Sequence, residues 1–79
     1  MRNIRNTRVC VIGGAGFLGS HLVDHLIEDR NCTVLVLDNL ISGLRKHVNS
    51  KAEFLWHDIR DDEQTLAQIL TQRDIEYVF

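Results

Sequence analysis

Apolar positions along this chain fall into short runs separated by polar and glycine-rich stretches. The first run, residues 8–12 (Arg-Val-Cys-Val-Ile), is continuous rather than alternating, the pattern of a β-strand covered on both faces. Four glycines then fall within residues 13–19, a density that no helix or strand interior tolerates. From Phe17 on, the period changes. Leu18, Leu22 and Leu26, with Val23 and Ile27, recur at helical spacing, and Asp24, Glu28 and Asp29 fall on the other side. The helix should stop near Arg30 and Asn31, because Asn tolerates the left-handed conformation that ends helices. Residues 33–37 (Thr-Val-Leu-Val-Leu) repeat the buried-strand pattern and end at Asp38.

Residues 39–50 read as a loop, with Ser42-Gly43 as its turn and one helical turn over 44–48. A third, weaker strand covers residues 53–56. Asp61 is placed to cap the next helix, with Gln64 completing a capping box and Leu66, Ile69 and Leu70 forming the apolar stripe. Residues 75–79 begin a fourth strand. The polar start, residues 1–7, reads as a flexible arm. This rhythm predicts an α/β fold, a parallel sheet of about four strands joined by βαβ crossovers. Two good helices cover such a sheet thinly, and the fourth strand would present an unpaired apolar edge. Residues 8–79 are therefore expected to be the front part of a larger domain.

The glycine cluster carries the most specific chemistry. It reads as G-x-x-G-x-x-G over Gly13, Gly16 and Gly19, or as G-x-G-x-x-G over Gly14, Gly16 and Gly19. It sits between a buried strand and an amphipathic helix. An early glycine permits the turn out of the strand. Gly16 lets the backbone approach a pyrophosphate, and Gly19 lets the helix pack close to the strand. The N–H groups of the helix start then face the phosphates. Asp38 lies 19 positions after Gly19, where a Rossmann-type unit places the acid that binds the adenosine ribose. A carboxylate there repels a 2′-phosphate and favours NAD over NADP; Arg45 and Lys46 weaken that preference. A P-loop fails, because Ser20-His21 follows Gly19 where Lys-Ser/Thr is needed. A methyltransferase front end binding S-adenosylmethionine also has a glycine loop and an acid after its second strand. The third glycine inside the helix start favours a dinucleotide.

Composition narrows the classes further. The chain has 79 residues, 44% hydrophobic and 25% charged, with five Gly and no Pro. These values exclude a disordered tail, a collagen repeat and a coiled coil. A net charge of −2 gives no basic field for nucleic acid. No apolar run approaches the ~20 residues of a membrane helix, and residues 1–5 lack the apolar core of a signal peptide. Two cysteines, Cys10 and Cys32, are too few for a disulfide scaffold and lack zinc-site spacing, so both are expected reduced, in the cytoplasm.

Three segments in order resemble one family: Gly-Gly-Ala-Gly-Phe-Leu-Gly-Ser-His-Leu from Gly13, Leu-Asp-Asn-Leu-Ile-Ser-Gly from Leu37, and His-Asp-Ile-Arg-Asp from His57. Together they are similar to the extended short-chain dehydrogenase/reductases, and more narrowly to the NAD-dependent epimerase/dehydratase family acting on nucleotide sugars. The resemblance implies that Phe17 and Leu18 meet the pyrophosphate through their backbone and that Asp38 and Asn39 hold the adenosine ribose. It places Leu40, Ser42 and Gly43 along the same end of the cofactor, and Asp58 and Ile59 at the adenine. The family takes its substrate proton with a Tyr-x-x-x-Lys pair. This chain has one tyrosine, Tyr77, and its lysines are Lys46 and Lys51, so no such pair exists. The resemblance thus implies a cofactor-binding segment, inactive alone, of an enzyme whose substrate is a nucleotide sugar. A non-catalytic dinucleotide-binding module, paired into a homodimer through its open sheet edge, is the alternative.

Other features carry less. His21 and His25 share a helix face at a spacing that can ligate zinc, but no third ligand is evident and no metal is expected. Ser20 lacks the G-x-S-x-G setting of a nucleophile. Cys10, inside a strand, should be inert. Phe54 and Trp56 read as packing residues. No residue here is expected to be catalytic.

Overall fold

A computed structural model describes residues 4–41, 43–58, 60 and 62–79. The elements follow the polarity pattern: β1 (Arg8–Ile12), α1 (Phe17–Glu28), β2 (Thr33–Asp38), a single 3-10 turn (Arg45–His47), β3 (Glu53–Trp56), α2 (Glu63–Gln72) and β4 (Tyr77–Val78). The strands form one parallel sheet in the order β3-β2-β1-β4. β1 and β2 pair along their whole lengths, from Arg8 opposite Thr33 to Ile12 opposite Leu37. Consecutive strands thus run outward from β1 to β3, and the chain then crosses back to place β4 on the other side of β1.

Residues of the central strands alternate between two layers, which is why the runs are continuously apolar. Val9, Val11, Val34 and Val36 meet Val23 and Leu26 of α1 in one core. Cys10, Leu35 and Leu37 form a second, covered by Leu66, Ile69 and Leu70 of α2. The α1 side is the better sealed: Val23 and Leu26 are wholly buried, whereas no residue of α2 is. Cys10 and Cys32 are buried free thiols. No helix among the described residues is long and apolar enough to cross a membrane.

Four local details differ from the sequence reading. Leu18 is not part of the α1 core stripe; it is 80% exposed at the helix start, beyond the end of the sheet. The expected capping residue Asp61 lies outside the described residues. The N-cap of α2 is Asp62, whose carboxylate accepts the Gln64 N–H at 2.9 Å. From Ile4 on, the expected arm is tied down. Ile4 is buried, Asn6 N–H donates to Arg30 O at 3.0 Å, and Thr33 N–H donates to Thr7 O at 2.9 Å. The fourth strand is shorter than residues 75–79, and Ile75 instead packs under α2. The helix stop near Asn31 is as expected: α1 ends at Glu28 and Asn31 adopts φ +54°.

Candidate functional site

β1, β2 and β4 end on the same side of the sheet, next to the start of α1. In a doubly wound sheet this is the edge where ligands bind, at the point where strand order reverses. Here the reversal falls between β1 and β4.

The turn from β1 into α1 depends on glycine at two positions. Gly13 adopts φ +78°, a region costly for any other residue, and its N–H donates to Leu37 O at 2.7 Å, extending the β1–β2 ladder. Its carbonyl turns back to accept the Gly16 N–H at 3.1 Å. Gly19, in the first turn of α1, lies so close to this turn that a Cβ would come within 3.0 Å of the Gly13 carbonyl carbon and of Gly14 Cα. The helix start is therefore pressed onto the loop. Its N-cap is Gly16, no side chain caps it, and no acid occupies the first turn. The leading N–H groups, from Phe17 to Gly19, find no acceptor within the helix. A bare helix N-terminus beside a glycine turn is a fit for phosphate oxygens. Phe17 and Leu18 stand exposed there, with Phe17 edge-on to His21 at 4.8 Å between ring centroids.

Asp38, the last residue of β2, is 8% exposed. Its two carboxylate oxygens are each engaged: Oδ2 accepts the Ala15 N–H at 2.9 Å and Oδ1 the Leu40 N–H at 2.7 Å. Ala15 O in turn accepts the Leu44 N–H at 3.1 Å. Gly43 lies against Ala15, with room for no larger residue. The loop after β2 is thus clasped to the glycine turn on both edges of Ala15. Asn39 Oδ1 accepts the Ile41 N–H, and Asn39 O accepts Trp56 Nε1–H at 3.0 Å.

Beside this clasp a cleft of about 100 Å³ is lined by Ile12, Gly13, Leu37, Asp38, Asn39, His57 and Leu66. Of the residues expected at a cofactor, Gly13, Asp38 and Asn39 line it directly. Gly16, Phe17, Leu18 and Gly19 form the helix mouth next to it. Leu40 is partly buried against the α1 core, and Gly43 packs on Ala15. Asp58 is paired with Arg60. The guanidinium holds it with Nη2 at 2.6 Å from Oδ2 and Nε at 3.0 Å from Oδ1. The Arg60 side chain and its backbone N–H, aided by His57, bring the Asp58 carboxyl down to about 2. Ser42 and Ile59 lie outside the described residues.

Two residues acquire meaning only in three dimensions. Arg45, a candidate for reaching a 2′-phosphate, has its guanidinium over the Phe54 ring, 4.6 Å from its centroid. His57 opens the third of the segments that resemble the family, and the resemblance gives it no role; in the structure its Nε2 is buried and without a hydrogen-bond partner. It follows directly on β3.

A four-stranded parallel sheet in this order, with a glycine turn into α1 and an acid closing β2, defines a Rossmann-type α/β unit. The chain belongs to the NAD dependent epimerase/dehydratase family, whose model matches residues 9–79. It is 49% identical over 70 residues to a putative UDP-glucose 4-epimerase of Methanocaldococcus jannaschii, covering 89% of this chain and 22% of that protein. The crystal structure of Thermotoga maritima UDP-glucose 4-epimerase with UDP-glucose superposes with a TM-score of 0.84 at 44% identity, over 92% of this chain and 23% of that one. Thermus thermophilus UDP-glucose 4-epimerase, solved with NAD, gives 0.80 at 39% identity, over 91% and 22%. The chain therefore spans about a fifth of the length of these relatives. None of them is a methyltransferase, and nothing in these similarities supports that reading.

Proposed function

We propose that this chain provides the NAD-binding segment of a nucleotide-sugar epimerase or dehydratase. The observation that carries the reading is the bare N-terminus of α1, folded onto a glycine turn, with the buried Asp38 carboxylate beside it at the end of β2. Family membership and the NAD complex of a relative support it.

In this reading the backbone of Gly13, Gly16, Phe17, Leu18 and Gly19 binds the pyrophosphate. Their N–H groups and the helix dipole supply charge complementarity without a cationic side chain. Asp38 and Asn39 hold the adenosine ribose, with Leu40, Ser42 and Gly43 along the same end. An ionised carboxylate accepts more than two hydrogen bonds, so Asp38 can serve the ribose while keeping its backbone donors. Asp58 and Ile59 flank the adenine. Asp38 selects against a 2′-phosphate, and Arg45, stacked on Phe54, is engaged elsewhere. When bound, NAD supplies transient hydride acceptance from the sugar. The part assigned to these residues is binding and orientation, since no Tyr-x-x-x-Lys pair occurs among them.

Calorimetric titration with NAD tests this, with NADP and S-adenosylmethionine as controls. Binding of NAD in preference to both is expected, and Asp38→Ala should weaken it at least tenfold. Equal binding of NADP, or no loss in the variant, would remove Asp38 from the site. A folded protein that takes no NAD would overturn the reading.

A further inference from the structure

Trp56, the last residue of β3, does not pack as its sequence suggests: it is 61% exposed. What fixes the indole is its one donor, Nε1–H, which meets Asn39 O at 3.0 Å. Trp56 stands opposite Asp38 in the parallel register of β2 and β3, and the next residue, His57, donates its backbone N–H to Asp38 O at 3.1 Å. The end of β3 therefore grips two successive carbonyls of the chain leaving β2, the first through backbone and the second through a side chain. The indole adds a rung beyond the last backbone bond between the strands.

That rung lies directly before a strained residue. Leu40 adopts φ +61°, the left-handed region that a bulky side chain rarely enters. Such strain persists only where its surroundings over-determine it, and it collects at ligand clamps. Here the peptide between Asn39 and Leu40 is held at both poles: Asp38 Oδ1 accepts its N–H at 2.7 Å, and Trp56 Nε1–H donates to its carbonyl. Asn39 Oδ1 accepts the following N–H, that of Ile41, at 3.0 Å. The bonds to Asp38 and Asn39 side chains are local to the loop; of the three, only the Trp56 bond comes from another strand. A peptide group turns as a rigid plane, so rotating this one changes ψ of Asn39 and φ of Leu40 together. That rotation is the motion that would release Leu40 from its strain, and the indole opposes it.

Asn39 lines the cleft beside Asp38, whereas the indole does not. We propose that Trp56 is a positioning residue for the cofactor loop: its indole N–H locks the Asn39–Leu40 peptide in the orientation that presents Asn39 to the ligand, without touching the ligand itself. The assignment rests on the NAD-binding reading and adds to it a residue outside the three segments that resemble the family.

Trp56 is the single tryptophan of the chain, so one indole N–H resonance reports on this bond in the unsubstituted protein. Coupling is reciprocal: a bond that favours the binding-competent loop is itself favoured by the ligand. Solvent exchange of the indole proton should therefore slow when AMP or NAD is added and stay unchanged with nicotinamide mononucleotide. Trp56→Phe keeps an aromatic ring and removes the donor. At a temperature where this variant is fully folded, calorimetry should show AMP and NAD weakened about threefold to tenfold, the range of one net hydrogen bond, with nicotinamide mononucleotide unaffected. Undiminished affinity in the folded variant would overturn the assignment. If AMP or NAD binds, moving the amides of Gly13 to Gly19, while indole exchange stays unchanged, Trp56 has no part in positioning and the NAD-binding reading stands. If neither ligand binds the folded protein, both fall. The exchange measurement needs no substitution, so it decides even if Trp56→Phe fails to fold.

Discussion

Asp38 Oδ2 and the backbone N–H of Ala15, 23 residues apart in sequence, meet at 2.9 Å in the interior. The acid that ends β2 thus also fastens the glycine turn that follows β1. Removing it strands two N–H groups, those of Ala15 and Leu40. A buried donor left unpaired costs about 1–3 kcal/mol. Asp38→Ala should therefore lower stability in urea by about that amount, independently of any ligand. Asp38→Asn should recover only part, because its one amide oxygen cannot accept from both donors while its NH₂ faces the second. A variant with unchanged urea midpoint would show that the clasp adds nothing to the fold.

Gly19 and Gly16 separate folding from ligand approach. At Gly19 an added Cβ collides with the Gly13 carbonyl oxygen and stands 3.0 Å from two further backbone atoms, and backbone cannot swing aside. Gly19→Ala should cost about 1–3 kcal/mol and open the turn. At Gly16 the nearest atom to such a Cβ is Gly13 O at 3.4 Å, close to ordinary contact. Gly16→Ala should cost about 1 kcal/mol or less through the weaker cap, yet weaken NAD by tenfold or more. Melting curves and calorimetry on the two variants check the contrast; equal stability losses would contradict it.

Asp58 sets an acid limit on the segment after β3. Arg60 holds its carboxyl at about 2, below the ordinary 3.8. A depressed carboxyl contributes stability that is present above the unfolded value and lost as pH falls through the folded one. The contribution should therefore be complete at neutral pH and disappear between about pH 4 and pH 2. Asp58→Asn should remove that part of the acid dependence in melting temperatures measured from pH 5 down to pH 2. Parallel curves for the two proteins would dismiss the Arg60 pair as a source of stability.

Cys10 should be chemically silent in the folded protein. Burial in the second core pushes its thiol up to about 11, and the thiolate is the reactive form. Iodoacetamide at pH 8 should leave Cys10 unmodified in buffer and alkylate it fully in urea, as read by peptide mass mapping. Rapid labelling in buffer would mean that the α2 side of the sheet opens readily.

The strands were legible because β1 and β2 are buried on both faces, and a parallel sheet writes that as unbroken Val, Leu and Ile. The glycine turn and Asp38 were legible because their spacing reflects a backbone requirement. Where the sequence misled, the cause lay across the fold. Asp61 and Asp62 give the same local capping signal, and the carboxylate contact to the Gln64 N–H picks Asp62. Asn6 and Thr7 look loose until their bonds to Arg30 and Thr33 are seen. Spacing marks Asp38 as a candidate ribose acid but is silent on its inward bond to Ala15. The buried, unpartnered Nε2 of His57 is a property of the fold that its letter in the sequence does not announce.

The return of the chain to the far side of β1 has a kinetic consequence. β1 and β2 are joined through one helix, whereas Arg8 N–H meets Glu76 Oε2 across 68 residues. Contacts so distant in sequence carry a larger loop-closure entropy and form late. The seam between first and last strands, held by Ile12 N–H on Phe79 O and Phe79 N–H on Cys10 O, is then the last part of the sheet to assemble and the first to open. Amide hydrogen exchange at Ile12 and Phe79 should accordingly outpace that in the β1–β2 ladder, and that seam borders the same strand ends that carry the glycine turn.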